Sequence, residues 1–93
     1  ASPSMIALME QAAYTLVQGS MAEGESTVGT KMNVDHVKAS KIGDTITAKA
    51  VLTAIDGRKL TFEVSATDSA GNTIGHGTHT RFIIQIEKFL SRL

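Results

Sequence analysis

Apolar positions recur every three to four residues up to Gln18, and every second residue from Thr27 onward. The first period predicts a helix from about Pro3 to about Gln18, with Ser2 or Ser4 as N-cap and Pro3 suited to the first turn. Met5, Met9, Ala12 and Leu16 form its stripe, and Ile6, Ala13 and Val17 widen it. Gly19 ends the helix, and the polar stretch 20–26 forms a loop.

The second period predicts four strands, each with one face buried. In the first, Val28, Thr30, Met32, Val34 and His36 point one way, and Gly29, Lys31, Asn33 and Asp35 the other. After a polar break over 38–43, Ile46, Ala48, Ala50, Leu52 and Ala54 alternate with Thr45, Thr47, Lys49 and Thr53. Asp56-Gly57 is a hairpin turn signal. It leads into Leu60, Phe62, Val64 and Ala66, and Ala70-Gly71-Asn72 is a second turn. The last strand runs from about Thr73 to Glu87, a length that needs a bend, for which Gly75 and Gly77 are suited. One helix followed by four strands on short connections predicts an α+β fold, an antiparallel sheet carrying the helix on one face.

At 93 residues the chain holds one core, so residues 1–93 form a single domain. A formal net charge of zero with 19% charged residues lacks the basic excess of a nucleic-acid binder. No apolar run approaches the ~20 residues of a membrane span, and no basic stretch precedes an apolar one at the start. The expectation is a cytoplasmic protein without nucleic-acid or membrane partners. The absence of cysteine removes disulfides, thiolate nucleophiles and cysteine-held metal. A small core without disulfides favours a partner subunit. The chain starts at Ala1, almost within the helix, which suggests trimming of a longer product.

Few side chains offer chemistry. His36 is in phase with Met32 and Val34, so its imidazole faces the helix, either as a satisfied core residue or as a working one. Glu10 sits at the margin of the apolar stripe, beside Ile6, Ala13 and Val17, at ~100° per residue. There it is a boundary carboxylate reaching water or, facing His36, one half of an acid/base pair. Ser2 caps the helix start, and the N–H groups at that end also favour a developing negative charge. His76 and His79 stand three apart on a strand and face opposite sides, which argues against a shared metal ion. The glycines at 71, 75 and 77 precede no helix and form no phosphate loop. Arg81 is opposite in phase to Phe82 and Ile84, and either holds a carboxylate or phosphate or pairs on the surface with Glu87 or Glu63.

The order of these pieces is informative: Glu10 in the helix, Val28-Gly29-Thr30, Asn33-Val34-Asp35-His36, Asp56-Gly57-Arg58 and Gly77-Thr78-His79-Thr80-Arg81-Phe82. Together they resemble the fluoroacetyl-CoA thioesterase-like group of hotdog-fold proteins, over nearly the whole chain. The resemblance implies a long helix wrapped by a curved antiparallel sheet, pairing into a homodimer or a dimer of dimers, with active sites at the subunit boundary. It implies hydrolysis of acyl-CoA thioesters without metal or cofactor, coenzyme A being part of the substrate. By position the catalytic hydroxyl, glutamate and histidine fall on Ser2, Glu10 and His36, with serine where the fluoroacetyl-CoA enzyme has threonine. The substrate-binding glycine and arginine fall on Gly29 and Arg81. The group's N-terminal strand and lid-bearing loop, which precede the helix, are missing from this chain.

The expected function is therefore hydrolysis of a small acyl-CoA thioester by Glu/His-assisted attack. An enoyl-CoA hydratase of the same fold carries Asp-x-x-x-x-His, which this sequence lacks. A third reading is a non-catalytic acyl-CoA or small-ligand binding module in which Glu10 and His36 are structural.

Overall fold

The computed structural model describes residues 2–93, with side chains from Ser4 onward. Helix α1 spans Ser2–Gln18, followed by strands β1 (Glu25–His36), β2 (Thr47–Asp56), β3 (Lys59–Thr67) and β4 (Thr73–Gln85) and a short helix α2 (Ile86–Ser91). The strands form one antiparallel sheet in the order β1-β4-β3-β2, and α1 touches all four of them.

The buried stripe of α1 is Met5, Met9, Ala13 and Val17, an i, i+4 row rather than the predicted row through Ala12 and Leu16. Leu16 is half exposed. Against this row β3 places Leu60, Phe62, Val64 and Ala66, all buried as their alternation predicts. Ala48, Ala50 and Leu52 of β2 and Met32 and Val34 of β1 pack around them. The turn between β2 and β3 has Gly57 at φ +60°, with no positive φ at the following Arg58, the signature of a II′ hairpin.

Three irregularities break strict alternation. The register between β1 and β4 shifts at Thr30, so Gly29 pairs with Arg81 but Lys31 pairs with Thr80. A one-residue bulge reverses the faces on either side of it. Met32, Val34 and His36 keep their predicted phase, whereas Val28 moves to the outer face opposite Phe82, and Thr27 and Gly29 turn toward the helix. A second bulge at Thr53 sends Ala54 outward, where it is exposed. On β4 the irregularity lies at Ile74, not at the glycines predicted to bend the strand.

Those glycines serve close packing instead. A methyl group added at Gly75 would collide with the Met5 thioether, and one at Gly77 with the carbonyl oxygen of Asn33. The phase holding Gly75, Gly77, His79 and Arg81 therefore faces inward, and Phe82, 37% exposed, lies outside. The expected final strand to Glu87 ends instead at Gln85, where α2 begins. No helix among the described residues is long and apolar enough to cross a membrane.

Candidate functional site

Arg81 is 7% exposed on the helix-facing side, which overturns the surface pairing with Glu87 or Glu63. A buried guanidinium needs hydrogen-bond acceptors. Thr27 supplies two: its hydroxyl accepts from Nε at 2.8 Å and its carbonyl accepts from Nη2 at 2.9 Å. The bulge at Thr30 is what turns Thr27 toward the helix and makes this possible. A third contact runs from Nη1 to Nε2 of His79 at 3.2 Å. The Tyr14 ring lies beneath the guanidinium, 5.7 Å from its carbon to the ring centroid.

Glu10 stands one turn before Tyr14 on the exposed flank of α1. Among the described residues the direct ion pair is Lys38 to Asp68 at 3.8 Å, so Glu10 acts on Arg81 through space. Burial pushes Arg81 below the usual arginine value, and the charge of Glu10, with Tyr14 behind it, opposes that shift. Gly29 lies between these groups. A methyl group there would stand 3.1 Å from His79 Cε1, 3.2 Å from Arg81 Nη1 and 3.6 Å from Glu10 Oε2. The glycine thus keeps open an approach to a carboxylate and a guanidinium at once. Ala7, Glu10, Gln11, Tyr14, Gly29 and Arg81 border a shallow cleft of about 490 Å³.

The structure brings together Glu10, Gly29 and Arg81, but not His36. Gly29 and His36 pair with Arg81 and Gly75, which stand about 20 Å apart along β4 at the usual strand rise of ~3.3 Å per residue. His36 is exposed at the far end of β1. Met5 packs against Gly75, so the start of α1 lies at the same end of the sheet as His36. The side chain of Ser2 lies outside the described residues; its backbone opens α1, about 12 Å before Glu10 at 1.5 Å per residue. Within one protomer the expected triad is therefore divided, with the hydroxyl and histidine positions at one end and the carboxylate at mid-sheet.

His76 and His79 do face opposite sides, His76 exposed and His79 buried. Thr27, Tyr14 and His79 belong to the site and were not among the expected residues. For His79 the signal was its i, i+2 spacing to Arg81 in the phase of two glycines.

The family model described as fluoroacetyl-CoA-specific thioesterase matches residues 1–87. The chain is 38% identical over 89 residues to the fluoroacetyl-CoA thioesterase of Streptantibioticus cattleyicolor, covering 96% of this chain and 63% of that protein. It thus spans somewhat less than two thirds of that relative. A solved structure of the fluoroacetyl-CoA thioesterase FlK superposes with a TM-score of 0.92 at 38% identity, over 99% of this chain and 67% of that one. A thioesterase superfamily member from Thermus thermophilus shares the fold at a TM-score of 0.95 and 23% identity, over 99% of this chain and 67% of its own. The α+β architecture, a helix on a four-stranded antiparallel sheet, is that of the hotdog-fold thioesterases.

Proposed function

The chain belongs to the fluoroacetyl-CoA-specific thioesterase family, and on that premise we propose that it hydrolyses the thioester of a small acyl-CoA. The observation that carries this reading is the Glu10 carboxylate beside Gly29 and the buried Arg81 at the edge of one cleft. The absence of a side chain at Gly29 leaves the path of an acyl group toward Glu10 and Arg81 unobstructed. Arg81 offers N–H donors to its far end or to its carbonyl oxygen. Glu10 either attacks the thioester carbon or takes a proton from the attacking water.

The C–S bond then breaks as His36 gives a proton to the departing thiolate. With water as nucleophile this yields free acid and CoA thiol directly; with Glu10 as nucleophile it yields CoA thiol and an acyl-glutamyl anhydride, which water hydrolyses to the free acid, restoring the Glu10 carboxylate. The Ser2 position shares the His36 end of the sheet, so a partner that brings its His36 to this Glu10 would also bring the hydroxyl that donates to the developing oxyanion. Because Glu10 and His36 stand apart in one protomer, the reading requires a homodimer, alone or as a dimer of dimers, in which the partner brings its His36 to this Glu10. No cofactor enters the reaction, and an acyl-CoA substrate fits a cytoplasmic setting.

The test is release of CoA thiol from a panel of short and aromatic acyl-CoAs by the wild-type chain and by Glu10→Gln and His36→Ala. Loss of a general base or acid costs ~10²–10⁴-fold in rate. Glu10→Gln is expected to lose turnover by that order while still binding acyl-CoA. Binding without turnover by the wild-type protein would replace the enzyme with a binding module.

A further inference from the structure

His79 is the most buried charged or polar side chain in the core, 1% exposed, and hydrolysis as described above makes no use of it. Both of its ring nitrogens are engaged. Nδ1 lies 2.8 Å from the carbonyl oxygen of Lys31, the residue that resumes pairing after the β1 bulge. Nε2 lies 3.2 Å from Arg81 Nη1. A carbonyl can only accept and a guanidinium can only donate. The proton therefore sits on Nδ1, and Nε2 presents its lone pair to Arg81.

The ring is held from both sides. Phe62, its β3 partner, packs at 6.1 Å between centroids with the planes 31° apart. Met32 pairs with it from β1. A guanidinium has five N–H groups. Nε, Nη1 and Nη2 each commit one, to Thr27 and His79, which leaves one N–H on each Nη for the cleft that Arg81 borders. Two adjacent donors on one plane match a carboxylate or another two-pronged acceptor. That fork keeps its heading only while the opposite side of the guanidinium is pinned, and Thr27 and His79 are the two pins.

We propose that His79 is a positioning residue that, as the Nδ1–H tautomer anchored to the β1 bulge, fixes the Arg81 guanidinium so that its remaining N–H fork faces the acyl end of the substrate. The proposal rests on the reading of Arg81 as a substrate-binding group, and its test is chosen to be separable from that reading.

Two substitutions divide the two bonds of the ring. In His79→Gln the side-chain oxygen reaches the place of Nε2 and accepts from Arg81, while the Lys31 carbonyl loses its donor. In His79→Asn the amide reaches the place of Nδ1 and serves Lys31, while Arg81 loses its acceptor. Each variant drops one buried hydrogen bond, so their melting temperatures fall by similar amounts.

Their kinetics with acetyl-CoA and fluoroacetyl-CoA are expected to part: KM rises about tenfold in His79→Asn, as for loss of a hydrogen bond to a charged group, with kcat changed less, and His79→Gln recovers most of that loss. A merely structural histidine would give both variants the same KM, and that result overturns the proposal. Nitrogen NMR of the wild-type protein reads the tautomer directly, and a proton on Nε2 overturns it as well. If the wild-type protein hydrolyses no acyl-CoA of the panel, the thioesterase reading fails, and the Arg81 Nη resonances still decide, since Nη1 is the atom bonded to His79: they stay distinct in His79→Gln and merge by rotation about Cζ–Nη1 in His79→Asn, or the proposal is wrong.

Discussion

Arg81 and Thr27 are joined twice, from Nε to the threonine hydroxyl at 2.8 Å and from Nη2 to its carbonyl at 2.9 Å. Both residues are more than nine-tenths buried, so neither bond is replaceable by bulk water. Replacing Thr27 with valine keeps the shape and removes one acceptor, leaving the Nε–H of a buried cation without a partner. The expected cost is about 1–3 kcal/mol in urea unfolding. Thr27→Ser, which retains the hydroxyl, is expected to stay closer to the wild-type protein. A Thr27→Val protein as stable as the wild type would show that the bond from Nε to the threonine hydroxyl contributes nothing.

This pair also shows where alternation along the chain stops being informative. The helix, the four strands, their turns and the β3 core were legible because each rests on a local period or a turn residue. The bulge at Thr30 is marked only by the neighbouring Gly29, a signal that Gly75 and Gly77 also carry without a bulge between them, yet it decides that Thr27 and Gly29 face the helix and Val28 does not. On β4 the phase of Phe82 and Ile84 did not by itself tell which face is inner. Close approach of Met5 to Gly75 and of β1 to Gly77 selected the phase with the small residues, and that carried His79 and Arg81 into the interior. The positions of Glu10, Gly29 and Arg81 followed from the family resemblance, whereas the distance from Glu10 to His36 is a property of the fold that residue spacing does not give.

The three inward glycines make a graded prediction. Alanine at Gly77 would strike backbone, the Asn33 carbonyl oxygen, and stand 2.7 Å from Val34 Cα, neither of which moves without separating β1 from β4. Alanine at Gly75 meets the end of the flexible Met5 side chain, and at Gly29 it meets side chains at 3.1 and 3.2 Å. The expected order of destabilisation is Gly77→Ala, at or above the ~1–3 kcal/mol of ordinary overpacking, then Gly75→Ala, then Gly29→Ala. Gly29→Ala should instead show its main effect as a raised KM for thioester, since its methyl occupies the approach to Glu10 and Arg81. A Gly77→Ala protein as stable as the wild type would contradict the inward packing of β4 against β1.

Asp68 gives a prediction in the acid range. Its carboxylate accepts from the backbone N–H of Asn72 at 2.8 Å, from the Asn72 side chain at 3.1 Å and from the backbone N–H of Ala70 at 3.1 Å, closing the turn before β4. These bonds, the one from the Asn72 backbone foremost and with Lys38 adding to them, hold its carboxyl below the ordinary 3.8. A group with a depressed folded value stabilises the fold above its unfolded value, and that contribution is lost as the pH falls through the folded one. The wild-type melting temperature should thus drop below about pH 3.8. Asp68→Asn should melt lower at neutral pH and show a shallower acid decline. Parallel curves for the two proteins would remove Asp68 from the acid transition.

The division of Glu10 from His36 within one protomer leads to a complementation experiment. Each of Glu10→Gln and His36→Ala is expected to be inactive as a homodimer, since every site lacks one group. In a mixed dimer, a site that takes Glu10 from one protomer and His36 from the other is either doubly mutated or fully wild type. Random exchange of equal amounts gives mixed dimers in about half of the population, and one intact site in each, so activity should return to roughly a quarter of the wild-type value. Sites contained in single protomers would stay dead in every combination, because each protomer still lacks its own group. Recovery near a quarter, measured as CoA thiol release after the two inactive proteins are mixed and allowed to exchange, supports a shared site. Exchange verified by mass spectrometry with no recovery of activity would require Glu10 and His36 to act some other way, and would return His36 to a role at the end of the sheet.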